Sequence, residues 1–259
     1  MTQYKTQKFP YTRIATIDVC NIGKRKNHIP ALIELDVTKI REKIRAFNKE
    51  NSDKISFTGM MISLISKAVK KFETSSSFIK GKSRLIIFED VNVSIIVEKE
   101  INGEKVPIPL VIEKAHEKNA AAISMEINKA KNKQLNDEEI VLQKKASRLE
   151  KLYYKFPGFV RRYVWRYLLK HPALVYNKMG NVAFTSIGMM GKVNGWFIPI
   201  SIHPVCFGAS SVMKKPLVID NKIEIREILN LTVLLDHDVI DGADMARLIS
   251  YLAKNIENG

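Results

Sequence analysis

Near its carboxyl end the chain passes from a long strand pattern, through a short polar cluster, into an amphipathic helix pattern. The strand pattern is Ile223 to Leu235 and ends in mostly aliphatic residues, the cluster is Asp236 to Asp241, and the helical pattern runs from Gly242 to Ile256. Aliphatic and β-branched runs are typical of buried strands, whereas apolar residues at intervals of three and four are typical of helices. The fold therefore has to place a strand next to a helix, with polar residues at their junction.

The rest of the sequence mixes strands and helices without strict alternation. Further strands are predicted at Ile29–Leu35, Leu85–Phe88, Val91–Val97, Val106–Ile112, Val182–Ile187, Trp196–Ile202 and Val205–Val212. Helices are predicted after Asp36 and after Ser56, at Asn119–Lys133, and from Asp137 onwards. This order favours an α+β fold, a mixed-sheet α/β sandwich, over a doubly wound nucleotide-binding fold. The absence of a glycine-rich phosphate loop in the sequence supports the same choice.

Composition limits the class of protein further. The 259 residues include 42 Lys and Arg against 27 Asp and Glu, which gives a formal net charge of +15. The two cysteines, Cys20 and Cys206, are far apart in sequence, which argues against a disulfide scaffold and a cysteine-based zinc site. No apolar run reaches the ~18 residues of a membrane span, and no secretory signal is evident. A cytoplasmic protein is expected, and no ligand spacing indicates a metal site.

The polar cluster contains the main candidates for catalysis. His237 is suited to general-base chemistry because imidazole exchanges a proton near neutral pH. Asp241 lies four residues further on, where it would orient or support the loop. A solvated acidic turn, in which His237 has no catalytic role, is the alternative interpretation of these residues.

The cluster is also part of a longer pattern. Asp236-His237, three intervening residues and Asp241-Gly242-Ala243 resemble the signature that closes the catalytic domain of the dihydrolipoamide acyltransferases. These 2-oxo-acid dehydrogenase acyltransferases share the chloramphenicol-acetyltransferase-like fold. Similar stretches occur in the family's order at Ile29-Pro30, Lys54 to Ser56, Asp90 to Ser94, Val182 to Gly188 and Trp196 to Pro199. The resemblance covers most of residues 25 to 257.

This resemblance implies a CoA-dependent acyl transfer between a thioester and a thiol or hydroxyl acceptor. His237 matches the histidine that deprotonates the acceptor, and Asp241 would support the catalytic loop. Ser186 matches the hydroxyl that donates to the oxyanion, with Thr185 as the alternative in a register shifted by one. Because adjacent strand residues face opposite sides, only one of these two hydroxyls can point into the site.

The resemblance also implies partners. Acyl-coenzyme A is the expected substrate, although no binding residues for it are identified, and the family's intersubunit site implies a homotrimer or a larger trimer-based assembly. Asp238 departs from the pattern, because dehydrogenase-complex members usually carry arginine there. Since no stretch resembles a lipoyl or subunit-binding domain, a lipoyl group would have to come from another protein. Residues 1–259 are predicted to form a single catalytic domain.

One segment has no counterpart in the resemblance. Residues 141–180 contain ten Lys and Arg against one acidic residue, and eight of the chain's 21 aromatic residues. Pro157-Gly158 and Pro172 divide this basic, aromatic-rich insert into short amphipathic helices. Three interpretations stay open: a lid or oligomer contact, a peripheral membrane contact, and binding to single-stranded nucleic acid. The last has the least support, because no nucleic-acid-binding motif is present.

A second functional class also stays open. The chain would be a non-catalytic or membrane-associated scaffold that retains the acyltransferase fold, an interpretation motivated by Asp238 and by the missing lipoyl domain. Acyl transfer with His237 as general base is the principal hypothesis.

Overall fold

A computed structural model describes residues 2–7, 9–10, 13–81, 83–101, 104–132, 153–188 and 190–259. The helices are α1 (Arg13–Gly23), α2 (Thr38–Glu50), α3 (Phe57–Lys71), α4 (Ala120–Asn132), α5 (Gly158–Lys170), α6 (Pro172–Met179) and α7 (Gly242–Asn258). The strands are β1 (His28–Asp36), β2 (Phe78–Lys80), β3 (Arg84–Ile86), β4 (Val93–Ile101), β5 (Glu104–Ile112), β6 (Val182–Ser186), β7 (Val205–Ile219) and β8 (Lys222–Asp236). The helix predicted from Asp137 lies outside the described residues.

Six strands form one mixed sheet in the order β1-β8-β7-β6-β4-β5, and β2 pairs with β3 in a separate small sheet. The strands β4, β6 and β7 run parallel, while β1, β8 and β5 pair antiparallel to their neighbours. This arrangement confirms the predicted mixed-sheet α/β architecture. Pro107 and Pro109 lie on β5 at the edge of the sheet, as expected for residues that cannot donate a ladder hydrogen bond.

Helices α2, α3, α4 and α7 pack on one face of this sheet and form the core with it. Strand residues alternate accordingly: Val205, Phe207 and Ala209 belong to the core cluster, whereas Cys206 and Gly208 face the opposite side. Helix α3 begins as predicted, because Ser56 caps it by accepting a hydrogen bond from the Gly59 amide.

The opposite face of the sheet is covered by irregular chain. The indole nitrogen of Trp196 donates to the Ile33 carbonyl, and Thr232 donates to the Phe197 carbonyl. The strand predicted at Trp196–Ile202 is therefore wrong: this segment is held on top of the sheet by side-chain hydrogen bonds and belongs to no ladder. Phe197 and Pro199 lie against Gly208 of β7, whereas Trp196, Ile198 and Ile200 are exposed. The segment resembles a strand in sequence because most of its residues are apolar.

Two helices of the insert are described. Pro157 precedes α5 and Pro172 is the first residue of α6, where proline's missing N–H costs no helical hydrogen bond. Of the helices that the structure describes, none is both long and apolar enough to cross a membrane.

Candidate active site

His237 follows the last residue of β8 and is held at two atoms. Its backbone N–H donates to the Asn27 carbonyl over 2.9 Å, and its Nδ1 lies 3.0 Å from the Ile240 carbonyl oxygen. Because a carbonyl oxygen only accepts, Nδ1 must carry the proton in the neutral ring, and Nε2 then carries the lone pair. The residue is exposed to solvent. The ring is thus oriented with a basic nitrogen available for proton transfer.

The carboxylate that precedes His237 anchors the loop to the start of β1. Asp236 is completely buried, and its Oδ2 accepts from the Lys26 ammonium over 2.6 Å. The other carboxylate oxygen accepts from the Asp238 backbone N–H over 3.3 Å. A buried carboxylate requires a paired charge, so the ion pair with Lys26 holds Asp236 in place. Because His237 is the next residue, the same ion pair fixes the position of its backbone.

Asp238, which stands where arginine is usual in the family pattern, has a local partner here. Its Oδ1 accepts from the Asn27 side-chain amide over 2.9 Å. Lys26 and Asn27 therefore contact all three residues Asp236, His237 and Asp238 through side chains or backbone. Sequence reasoning missed both residues, because only the antiparallel pairing of β1 with β8 brings them to this loop.

Asp241 is the N-cap of α7. Its side chain accepts from the Asp244 backbone N–H over 3.0 Å, which satisfies one of the unpaired amides at the helix start. The cap fixes the point at which the loop turns into the helix.

The two candidate hydroxyls lie at the carboxyl end of β6 and face opposite sides of the sheet. Ser186 is level with the core residue Ala209, whereas Thr185 is level with Gly208 on the other face. The Ser186 Oγ accepts from the Gly188 backbone N–H over 3.3 Å. Gly188 leaves no room for a side chain there, since an added Cβ would lie 2.9 Å from the Ser210 carbonyl oxygen.

Ser186 and His237 do not meet within one chain. Ser186 is in register with Ala209 on β7, and Ala209 is in register with Leu231 on β8. His237 lies six residues beyond Leu231, which corresponds to about 20 Å at roughly 3.3 Å per residue. The structure therefore brings His237, Asp241 and the loop together, and it holds Ser186 and Thr185 at a distance.

A second histidine near the loop is buried and serves the fold. The Nε2 of His203 donates to the Met179 carbonyl at the end of α6, and its Nδ1 lies 3.1 Å from the Ser201 hydroxyl. Burial lowers the pKa of His203 to about 4, so the ring is neutral at physiological pH. This histidine connects the insert to the body of the protein.

An open cleft of about 400 Å³ lies beside α3 and the loop that carries His237. Its lining includes Lys71, Ser75, Ile87, Ile240 and Asp244. Ile240 is the residue whose carbonyl holds the His237 ring, so the cleft adjoins the loop on that side.

One group of side chains has the spacing of metal ligands. Asp90, His116 and Glu117 place one ligand atom each within 4.8 Å of one another. The Lys114 ammonium lies 3.6 Å from the Asp90 carboxylate, so a protein cation already neutralises this charge. The group is remote in sequence from the residues around His237.

Comparison with known proteins identifies the fold and the family. The family model for the catalytic domain of 2-oxoacid dehydrogenase acyltransferases matches residues 4–141 and 176–259. The dihydrolipoyllysine-residue acetyltransferase component of the pyruvate dehydrogenase complex from Mycoplasma pneumoniae is 28% identical over 249 residues, which are 90% of this chain and 51% of that protein. The chain thus spans about half the length of the curated relatives it matches.

Solved structures agree on the architecture. The truncated catalytic core of the 2-oxoacid dehydrogenase multienzyme complex from Thermoplasma acidophilum superposes with a TM-score of 0.65 at 19% identity, covering 98% of each chain. A chloramphenicol acetyltransferase superposes with a TM-score of 0.51 at 9% identity, covering 97% of this chain and 98% of the other. The predicted chloramphenicol-acetyltransferase-like fold is therefore confirmed, and the chain belongs to the 2-oxoacid dehydrogenase acyltransferase (catalytic domain) family.

Proposed function

We propose that the chain catalyses CoA-dependent acyl transfer between a thioester and a thiol or hydroxyl acceptor, with His237 as the general base. The observation that carries the proposal is the orientation of the His237 ring, whose Nδ1 donates to the Ile240 carbonyl so that Nε2 can take a proton. Family membership supplies the reaction class. An exposed, oriented imidazole is what deprotonation of a thiol or hydroxyl requires.

In the proposed reaction, Nε2 of His237 takes the proton of the acceptor as its sulfur or oxygen attacks the thioester carbonyl. The carbonyl oxygen becomes an oxyanion in the tetrahedral intermediate, and a strand hydroxyl donates a hydrogen bond to it. When the intermediate collapses, the carbon–sulfur bond of the donor breaks and the departing thiolate takes the proton from His237. Coenzyme A and the acylated acceptor are the products, and the reverse direction uses the same groups.

We assign the oxyanion hydroxyl to Ser186, with Thr185 as the alternative. Because one chain separates Ser186 from His237 by about 20 Å along the strands, the assigned pair requires two chains. We therefore include a homotrimer, or a larger assembly of trimers, in the proposal. Its support is the long β7–β8 hairpin, whose tip exposes the large apolar residues Val218, Ile223 and Ile225.

A lipoyl group presented by a lipoyl domain is the physiological acceptor that we propose. The curated relatives that match this chain are named as components of pyruvate and branched-chain 2-oxo-acid dehydrogenase complexes. Dihydrolipoamide and small alcohols are accordingly the acceptors to test.

The test is acyl transfer from a panel of acyl-CoA thioesters, comparing wild type with His237→Ala and with His171→Ala. His171 is an exposed histidine on the insert and serves as the matched control. We expect His237→Ala to lower kcat by ~10³-fold and the control to leave it unchanged. If His237→Ala transfers acyl groups at the wild-type rate, the mechanism is overturned. If the wild type transfers no acyl group to any acceptor, the non-catalytic scaffold is favoured.

A further set of variants separates the two hydroxyls. Ser186→Ala is expected to lower kcat by ~10²-fold, as for loss of one oxyanion donor, while Thr185→Val leaves it within a few-fold. The reverse result would assign the role to Thr185.

A further inference from the structure

Helix α5 is fastened to the body of the protein along one side. The Arg161 Nε and the Tyr153 hydroxyl both donate to the same oxygen of Asp18, over 2.7 and 2.5 Å, and the Trp165 indole donates to the Tyr153 hydroxyl. Asp18 belongs to α1 and is buried. These contacts fix the rotation of α5 about its axis. The same set of side chains on its other side therefore always faces solvent.

The side of α5 turned away from the body is both aromatic and cationic. Phe159, Tyr163 and Tyr167 recur at four-residue spacing and are 66%, 75% and 56% exposed. Exposed basic residues follow the same spacing beside them. The outer face of α5 consists of Phe159, Arg162, Tyr163, Arg166, Tyr167 and Lys170.

The sequence of α5 contains no acidic residue, so none of these cations has an acidic neighbour on its own helix. A soluble surface helix normally presents polar residues outward and apolar residues inward. Here three large rings point outward along one side of a single helix. The helix also lies in residues 142–175, between the two stretches that match the family model, so the family core does not account for it.

We propose that the outer face of α5 binds the surface of an anionic lipid membrane. Arg162, Arg166 and Lys170 would contact lipid phosphates, while the three rings enter the headgroup region, where amphipathic aromatic side chains are favoured. A helix of 13 residues is about 20 Å long and would lie in the plane of the interface. The proposal is independent of acyl transfer, since it rests on the insert alone.

Two other occupants fit the outer face less well. An isologous contact with a second copy would bring the cations of two α5 helices together without acids to pair them. A heterologous contact, as in the proposed trimer, would place them against another surface of a chain whose net charge is already +15. Single-stranded nucleic acid is usually held in a basic groove with stacking rings, whereas these rings project from the convex surface of one helix. A lipid surface needs no groove, and it accommodates rings and cations on one plane.

The test uses the full chain and co-sedimentation with vesicles of phosphatidylcholine alone or with 30% phosphatidylglycerol. The charge variant is Arg162→Glu/Arg166→Glu/Lys170→Glu, and the ring variant is Phe159→Ser/Tyr163→Ser/Tyr167→Ser. The matched control, Lys67→Glu/Lys129→Glu/Lys131→Glu, changes the net charge equally at exposed lysines of α3 and α4. Circular dichroism and acyl-transfer activity check that each variant is folded.

Wild type is expected to bind the anionic vesicles at least tenfold more tightly than the neutral ones, and less tightly as salt is added. The charge and ring variants should each lose tenfold or more of this affinity, and the control should stay within threefold of wild type. Equal losses in the control and the charge variant would overturn the proposal, as would absence of wild-type binding. Tighter binding of an oligothymidylate than of vesicles, lost in the same variants, would overturn it in favour of nucleic acid.

Discussion

Ser186 and His237 are separated by six residues along the strand direction of one continuous ladder. The ladder runs from β6 through β7 to β8, and it places the hydroxyl about 20 Å from the imidazole along the strand direction. Because each strand is hydrogen-bonded to its neighbour, this separation cannot close by a loop movement within one chain. If both residues act on one acyl group, they act in different copies of the protein.

Mixing two inactive variants should therefore restore activity. Ser186→Ala retains a working His237, and His237→Ala retains a working Ser186, so a mixed trimer contains sites in which both residues are intact. For random assembly of equal amounts, about a quarter of the sites are intact, and activity should recover to that level. The measurement is acyl transfer after the two variants are unfolded and refolded together.

The control is the double variant refolded with either single variant, which creates no intact site. If the mixture of single variants is no more active than its two components assayed separately, Ser186 and His237 do not form a shared intersubunit site.

Replacing Lys26 should destabilise the protein and displace the His237 loop. Lys26→Met leaves the completely buried Asp236 carboxylate without its ammonium partner at 2.6 Å. Because Lys26 itself is partly exposed, we expect a loss of about 2–3 kcal/mol in the free energy of unfolding, measured by urea denaturation. The kcat should fall as well, since His237 follows Asp236 directly.

Lys70→Met is the comparison for this variant, because Lys70 pairs with the exposed Glu73 over a similar distance. We expect that change to cost less than about 1 kcal/mol. Similar costs for the two lysine variants would contradict a special role for the Lys26–Asp236 pair.

The role of Asp241 as a helix cap predicts a difference between two substitutions. Asp241→Ala removes the acceptor for the Asp244 N–H and should lower the free energy of unfolding by about 1 kcal/mol. Asp241→Asn retains a capping oxygen, so both stability and acyl transfer should remain close to wild type. Thermal denaturation and kcat measure the two effects. A large loss of kcat in the asparagine variant would show that the charge of Asp241 acts in the reaction.

The buried His203 should make the protein less stable in mild acid. Burial lowers its pKa from 6.5 to about 4, so between these two pH values the unfolded state binds a proton that the folded state does not. The free energy of unfolding should therefore fall as the pH falls through this window, by roughly 3 kcal/mol from this residue. Urea denaturation at several pH values between 7 and 4 measures the slope.

His203→Gln removes the titrating group and retains an amide that can donate to the Met179 carbonyl. Its unfolding free energy should depend less steeply on pH than that of wild type, whatever its value at pH 7. Identical slopes would assign the acid sensitivity to other groups.

Replacing Asp18 should loosen helix α5 of the insert without affecting the sheet. In Asp18→Ala the Arg161 guanidinium and the Tyr153 hydroxyl both lose their common acceptor. Backbone amides of α5 should then exchange with solvent at least tenfold faster, whereas those of β7 and β8 remain unchanged. Hydrogen–deuterium exchange with mass spectrometry separates the two regions. Uniform acceleration throughout the chain would indicate global destabilisation instead.

The sequence allowed good prediction wherever a residue's role depends on its immediate neighbours. The Ser56 cap, the strand that ends at Asp236 and the helix that begins after Asp241 were all predictable, because caps and hydrophobic periodicity are local properties. The pattern around His237 was specific enough to indicate the family, which the match over residues 4–141 and 176–259 confirms.

Interactions between distant parts of the chain could not be predicted in the same way. Lys26 and Asn27 contact the His237 loop only because β1 pairs with β8, and nothing in their local sequence indicates that pairing. The segment from Trp196 to Ile202 resembles a strand because it is rich in apolar residues, but it joins no ladder and is held on the sheet by side-chain hydrogen bonds. Which strands pair, and which segment covers a sheet face, are decided by the tertiary structure, which overrides local propensity.

The pairing of β1 with β8 also bears on how the chain folds as it is synthesised. His28 meets Asp236, which leaves the ribosome some 200 residues later. The chain is synthesised at roughly 5–20 residues per second, so about ten seconds or more pass before β8 is available to β1. Among the described strands, β8 is the only ladder partner of β1. During that interval its apolar side chains and backbone groups are available to the wrong partners. The strand that positions the His237 loop is therefore without its ladder partner for most of the synthesis of the chain.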